Sequence, residues 1–328
     1  MSKTKVLSCL TYQAFADAIG KSTEFLSSDE AYKLYPTGNV TFENFVQNNH
    51  NDCWGVKEWT DDTDQTILVM RAIHDVKAGN YADKEMPYLA AFANHIYDWY
   101  RNGIQIGNHK KKCCGVGVYV RWTVTEPDYL KDPLHYSNLT WENSDYDSTE
   151  NGSLMRTGII GAMINDDEQI IRIATEISMA THCDPRCIAA CAFQSLLVNR
   201  LVNRVNMDVW TMINSAIAAL SVSQQEYIFN LLSPVYEGTY NPLSFDFNDP
   251  NIRGNVETAL PLAIWNLCRF VNLGIAFENC VSSIAMLGGD ADTNAAIFGV
   301  LAGAYKKRAY SSTSFKTNVS GLSKITVV

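Results

Sequence analysis

The stretch Asp292-Thr293-Asn294-Ala295-Ala296-Ile297-Phe298-Gly299-Val300-Leu301-Ala302-Gly303-Ala304-Tyr305-Lys306-Lys307 decides the fold. After its polar start nearly every side chain is small or apolar, so it reads as a packed helix. Working outward from it, the helical signal is nearly continuous back to Leu154. Candidate helices are Met155–Ile164, Glu168–Thr181, Pro185–Val202, Met207–Leu220, Gln224–Leu232, Asn255–Phe270 and Ala276–Leu287. Earlier in the chain, Val6–Ile19, Thr60–Lys77 and Tyr88–Tyr100 carry the same spacing, each stopping near a glycine. No alternating strand with hairpin turns, no βαβ repeat and no fixed-period repeat stands out. The expectation is one all-α domain over residues 1–308 with roughly a dozen helices, then a Ser/Thr/Lys-rich loose tail over 309–328. Lys21–Trp54 and Glu126–Asn151 read as long irregular segments, which in compact domains are often functional.

Bulk composition bounds the rest. Hydrophobic residues at 47% and charged residues at 19% of 328 describe an ordinary soluble globular chain. A net charge of −9 argues against general nucleic-acid or anionic-membrane binding. No apolar run is long enough for a membrane span, and the N-terminus lacks a signal peptide, so a cytoplasmic protein (nuclear in a eukaryote), not secreted, is expected. Nine scattered cysteines, an odd count in a chain of this size, are expected as reduced thiols.

Two oxygen clusters could carry chemistry. Gly288-Gly289-Asp290-Ala291-Asp292-Thr293 places paired carboxylates and a hydroxyl at a helix start. Trp59-Thr60-Asp61-Asp62-Thr63-Asp64 does the same near residue 60. Either could be a helix cap. Adjacent carboxylates repel, however, unless a cation or proton compensates. If the two starts face one another they form a plausible ligand set for two divalent ions.

Here a family becomes recognisable. Thr60-Asp61-Asp62 and Asp290-Ala291-Asp292-Thr293-Asn294-Ala295-Ala296 resemble the two metal motifs of the ADP-ribosylglycohydrolases. Ala16-Asp17-Ala18-Ile19-Gly20 with Glu24-Phe25, Asn151-Gly152-Ser153-Leu154-Met155-Arg156, and Thr181-His182 with Asp184-Pro185-Arg186 resemble three further motifs in family order. The match runs from about Leu7 to Tyr305. It implies an all-α orthogonal bundle with a binuclear Mg²⁺ (or Mn²⁺) centre in a central cleft, a monomer that releases ADP-ribose from a modified protein or a related small molecule. The implied metal ligands are Thr60, Asp61, Asp62, Asp290, Asp292 and Thr293. Asp61, Asp62, Glu24 and Asp292 are the implied catalytic carboxylates, with Asp62 or Glu24 moving the proton. Ser148, Asn151, Gly152, Ser153 and His182 are implied to line the substrate cleft. Backbone N–H groups at Asn151-Gly152-Ser153, opening a helix, suit the pyrophosphate. The position of Glu24 leans toward an O-linked substrate.

The chain departs from the family pattern at Glu150, where a glycine is common, and at Ala16. It departs again at Cys113-Cys114-Gly115-Val116-Gly117, where many members carry an aspartate-glycine motif. These departures support the alternative of a catalytically inactive binding homologue. Elsewhere bland readings are expected: Lys110-Lys111-Lys112 as a solvated loop, Cys183, Cys187 and Cys191 as buried thiols. His74-Asp75 reads as a surface pair rather than a phosphohydrolase motif, Trp54 and Trp59 as core, and Arg253 as packing.

Overall fold

A computed structural model of the chain describes residues 2–107, 109–204 and 207–311. Fifteen α-helices run through the described residues: α1 (Lys3–Gly20), α2 (Ser28–Leu34), α3 (Asp61–Lys77), α4 (Pro87–Asn102), α5 (Val118–Val124), α6 (Pro133–Glu142), α7 (Leu154–Thr157), α8 (Ile160–Met163), α9 (Asp167–Met179), α10 (Pro185–Asn203), α11 (Val209–Ile217), α12 (Val222–Tyr236), α13 (Val256–Asn272), α14 (Phe277–Ala285) and α15 (Ala291–Lys306). One short antiparallel hairpin, β1 (Ile104–Ile106) with β2 (His109–Lys111), corrects the expectation of no strand signal. A three-residue strand is too short to register as alternation.

At the centre α15 lies antiparallel along α1. Gly299 leaves room for the backbone of Tyr12 and Gln13, and Gly303 for that of Ser8 and Cys9. At the other end Gly20 lets Ala291 and Asp292 approach; a Cβ there would sit 2.5 Å from Asp292 Cα. The small residues of the quoted stretch thus set how closely two backbones pass. Around this pair, α10 is buried along most of its length and packs on α9, α8 and α11. Asp184 caps it, accepting from Arg186 N at 2.8 Å, with Pro185 in the first turn.

Several expectations need correction. The predicted helix Met155–Ile164 is two four-residue pieces, α7 and α8, separated at Gly158-Ile159. The irregular segments contain helices. α2 starts on a capping box between Ser27 and Glu30. α6 starts on Asp132 accepting from His135 N, with Pro133 behind it. From residue 312 on, the predicted tail lies outside the described residues. No helix among the described residues is long and apolar enough to cross a membrane.

Candidate active site

The two oxygen clusters meet at one cleft of about 910 Å³. Asp17, buried in α1, builds the first side of it. Its carboxylate accepts from Thr60 N at 2.8 Å, from Thr63 N at 3.1 Å and from Thr63 Oγ1 at 2.6 Å. Asp17 therefore caps α3 from another helix, and the Thr60 side chain does not. The Thr60 hydroxyl instead donates to Asp62 Oδ2 at 2.9 Å. Asp62 Oδ1 is buried and has no hydrogen-bond partner among the described residues. Beside it, Asp61 Oδ2 accepts from Gln65 Nε2 at 2.9 Å.

The second side depends on two glycines. Gly288 and Gly289 hold left-handed φ values of 69° and 64°. A Cβ on either would strike the backbone oxygen of Leu26 or of Phe247. The freedom is spent on packing. Phe25 N donates to Gly289 O at 2.7 Å and Gly289 N to Leu26 O at 2.8 Å. This pair of bonds ties the segment after α1 to the loop before α15 and carries Glu24 to the acids of that loop. Ligand oxygens of Glu24, Asp290 and Asp292 lie within 4.8 Å of one another. Asp290 does not cap α15; its Oδ2 accepts from Asn151 Nδ2 at 2.6 Å.

Close acids in a buried place resist ionising. Burial first, then Asp290, holds the Glu24 carboxyl well above its usual range. For Asp292 the causes are burial, Glu24 and Asp290. Asp62 is raised by burial and by Asp17, Asp292, Asp61 and Asp290 around it. Asp61 is raised by burial, Asp17 and Asp64. Such a cluster wants a cation. Hard divalent ions prefer anionic oxygens of this kind, and the partnerless Asp62 Oδ1 has the chemistry of a ligand atom waiting for one. The residues fit a metal.

Glu24, Asp61, Asp290, Asp292, Thr293, Asn151, Gly152 and His182 line the cleft. Thr60 and Asp62 are buried behind this wall. Ser148 and Ser153 do not line it: Ser153 Oγ faces inward, accepting from Ser178 Oγ at 3.0 Å and Cys191 Sγ at 3.3 Å. The expected row of backbone donors is shorter too, because Asn151 N is committed to Gly254 O at 2.7 Å. The helix it opens, α7, has only four residues, too few for a useful dipole.

Sequence reasoning missed other wall residues. His50 Nε2 lies 2.6 Å from Glu24 Oε2. Arg253, expected to pack, lines the cleft and lies 4.8 Å over the Phe25 ring. Glu150 also lines it, and burial beside Asp290 pushes its carboxyl up to about 7. Lys111 is no solvated lysine. It donates to Trp59 O at 2.6 Å and pairs with Asp64 at 3.2 Å, bracing the Thr60 turn. Cys53 and Cys114, the latter lining the cleft, form a disulfide, correcting the expectation of reduced thiols for these two. The fold brings their loops together, since Gly115 abuts Trp54. Cys183, Cys187 and Cys191 are buried free thiols. His74 and Asp75 are partly exposed, with His95 Nε2 2.9 Å from Asp75.

Known proteins resemble this chain in sequence and fold. The chain is 25% identical over 304 residues to the ADP-ribosylarginine hydrolase Tri1 of Serratia proteamaculans, covering 92% of this chain and 72% of that one. It shares a fold with a solved ADP-ribosylglycohydrolase-related protein complex, at a TM-score of 0.60 and 20% identity over 92% of this chain and 87% of the other. The ADP-ribosylglycohydrolase profile matches residues 2–309. A carboxylate cleft built from both ends of the chain and a match of that length lead to one conclusion: this chain belongs to the ADP-ribosylglycohydrolase family and is a glycosidase-type hydrolase.

Proposed function

We propose that the chain is a Mg²⁺-dependent hydrolase, with Mn²⁺ as a substitute, that cleaves the C1″ glycosidic bond of ADP-ribosylated arginine and releases ADP-ribose. The observation that carries this is the meeting of Glu24, Asp290 and Asp292 within 4.8 Å at the cleft floor. Two divalent cations held by Thr60, Asp61, Asp62, Asp290, Asp292 and Thr293 would fix the ribose hydroxyls and acidify water. Asn151 orients Asp290, Gln65 orients Asp61, and Glu24 reaches the cluster on a segment bonded to Gly289. Glu24 or Asp62 moves the proton as the bond breaks. A guanidine leaving group fits a cleft with Glu150 beside Asp290, and the similarity to an ADP-ribosylarginine hydrolase points the same way.

The test is release of free ADP-ribose from arginine-, serine- and O-acetyl-linked substrates, with and without EDTA. Arginine-linked substrate should turn over fastest, EDTA should stop it, and Asp292→Asn should slow it by about a hundredfold or more. Turnover indifferent to EDTA and to Asp292→Asn would refute the metal reading. Faster turnover of the serine linkage would refute the acceptor assignment. ADP-ribose binding without release from any substrate would identify a binding homologue.

A further inference from the structure

Arg156 is fully buried in α7 and links Gln65 of α3 to Thr181 just after α9. One nitrogen, Nη1, donates to Gln65 Oε1 at 2.8 Å, and Gln65 Nε2 then donates to Asp61 at 2.9 Å. The other, Nη2, donates to Thr181 Oγ1 at 2.7 Å, and Thr181 Oγ1 lies 2.6 Å from His182 Nδ1. A guanidinium only donates. The bonds from Nη1 through Gln65 and from Nη2 through Thr181 therefore have an assigned direction. Gln65 must turn its carbonyl to Arg156 and its amide to Asp61. Thr181 must accept from Arg156 and give its own proton to His182 Nδ1. The reverse tautomer, with Nδ1–H donating to Thr181, would leave the Thr181 proton buried with no acceptor among the described residues, a cost on the order of 1–3 kcal/mol.

Nδ1 is thus an acceptor, and the ring proton sits on Nε2. His182 lines the cleft next to Gly152, and its Nε2 is buried without a partner among the described residues. Burial and then the Arg156 charge hold the imidazole well below its usual value, so it is neutral at physiological pH. A neutral ring locked in one tautomer is a fixed donor.

We propose that Arg156 and Thr181 are positioning residues that lock His182 as the Nε2–H tautomer, so that it donates a hydrogen bond to an oxygen of ADP-ribose. The assignment rests on the ADP-ribose reading of the cleft, but the tautomer is measurable without it. In the free protein at neutral pH, ¹⁵N NMR should show His182 with a bare Nδ1 and a protonated Nε2; the opposite tautomer overturns the proposal. Thr181→Val removes the lock, whereas Thr181→Ser keeps it. For the valine variant the Kd for ADP-ribose should rise roughly tenfold, the value of one ordinary hydrogen bond. KM should rise with it and kcat stay near wild type, because a hydrogen bond made equally in the bound substrate and the transition state is uniform binding. The serine variant should match wild type. Equal affinity in the valine variant and wild type overturns the proposal even if the tautomer is as expected. Measuring AMP, ADP and ADP-ribose in parallel locates the oxygen, since the loss first shows in the smallest ligand that carries it. A wild-type chain that binds no ADP-ribose overturns the functional reading, while the nitrogen shifts still decide the relay.

Discussion

Asp292→Asn should make the metal-free protein more stable while destroying its reason to exist. Asp292 Oδ1 accepts from Thr293 N at 3.0 Å, a bond asparagine retains. What asparagine loses is charge. At the 4.8 Å limit of the cluster, each ionised pair of Asp292 with Glu24 or Asp290 costs about 3.5 kcal/mol at an effective dielectric of 20. Two fully ionised pairs would cost about 7 kcal/mol. The raised carboxyls take up protons rather than bear that, so a gain of about 2 kcal/mol is expected, or about 3 °C in Tm for a chain of this size. The sign with pH follows. A carboxyl raised in the folded state supports stability below its unfolded value, near 4, and loses that support as pH climbs through the folded value. Glu150, pushed up to about 7, behaves in this way too. The advantage of Asp292→Asn should therefore be small at pH 5 and largest at pH 8. Mg²⁺ at a hundred times its Kd would stabilise wild type by about 2.7 kcal/mol and the variant hardly at all. Thermal melts in EDTA and in Mg²⁺ at both pH values should show the order of the two proteins reverse. A variant that melts lower than wild type in EDTA at pH 8, or gains equally from Mg²⁺, would refute the argument.

Two further predictions follow from packing and covalent structure. Gly20→Ala puts a methyl against the backbone of Ala291 and Asp292, neither of which can swing aside; a loss of about 1–3 kcal/mol and weaker Mg²⁺-dependent stabilisation are expected in the same melts, and an unchanged Tm would contradict the close approach. Denatured without reductant, the chain should titrate seven thiols, since seven of the nine cysteines are free; nine thiols before reduction would deny the Cys53–Cys114 bond.

Much of this was legible because the informative residues were few and of unusual type. Gly299, Gly303 and the alanines of α15 announce a helix whose neighbours come close, and paired acids at two helix starts announce a carboxylate cluster. The missed helices had readable signals as well. Ser27 with Glu30, and Asp132 before Pro133, are start signatures, but the polar composition of 21–54 and 126–151 outweighed them. Charge runs misled in a different way. Lys111 sits in a basic run that any local reading sends to solvent, and only the fold reveals Asp64 within its reach. The roles of Gly288 and Gly289 were equally hidden, since nothing local shows that Leu26 and Phe247 will press against them. His50, Arg253 and Glu150 reach the cleft from loops that carry no period to read.

The bonds between Phe25–Leu26 and Gly289 also order events in time. Asp17 and Glu24 leave the ribosome long before Asp290 and Asp292 do. Until then a nascent chain carries only part of this carboxylate cluster. It completes that site only when α15 slides along α1. The cleft therefore cannot be complete before α15 has emerged and docked.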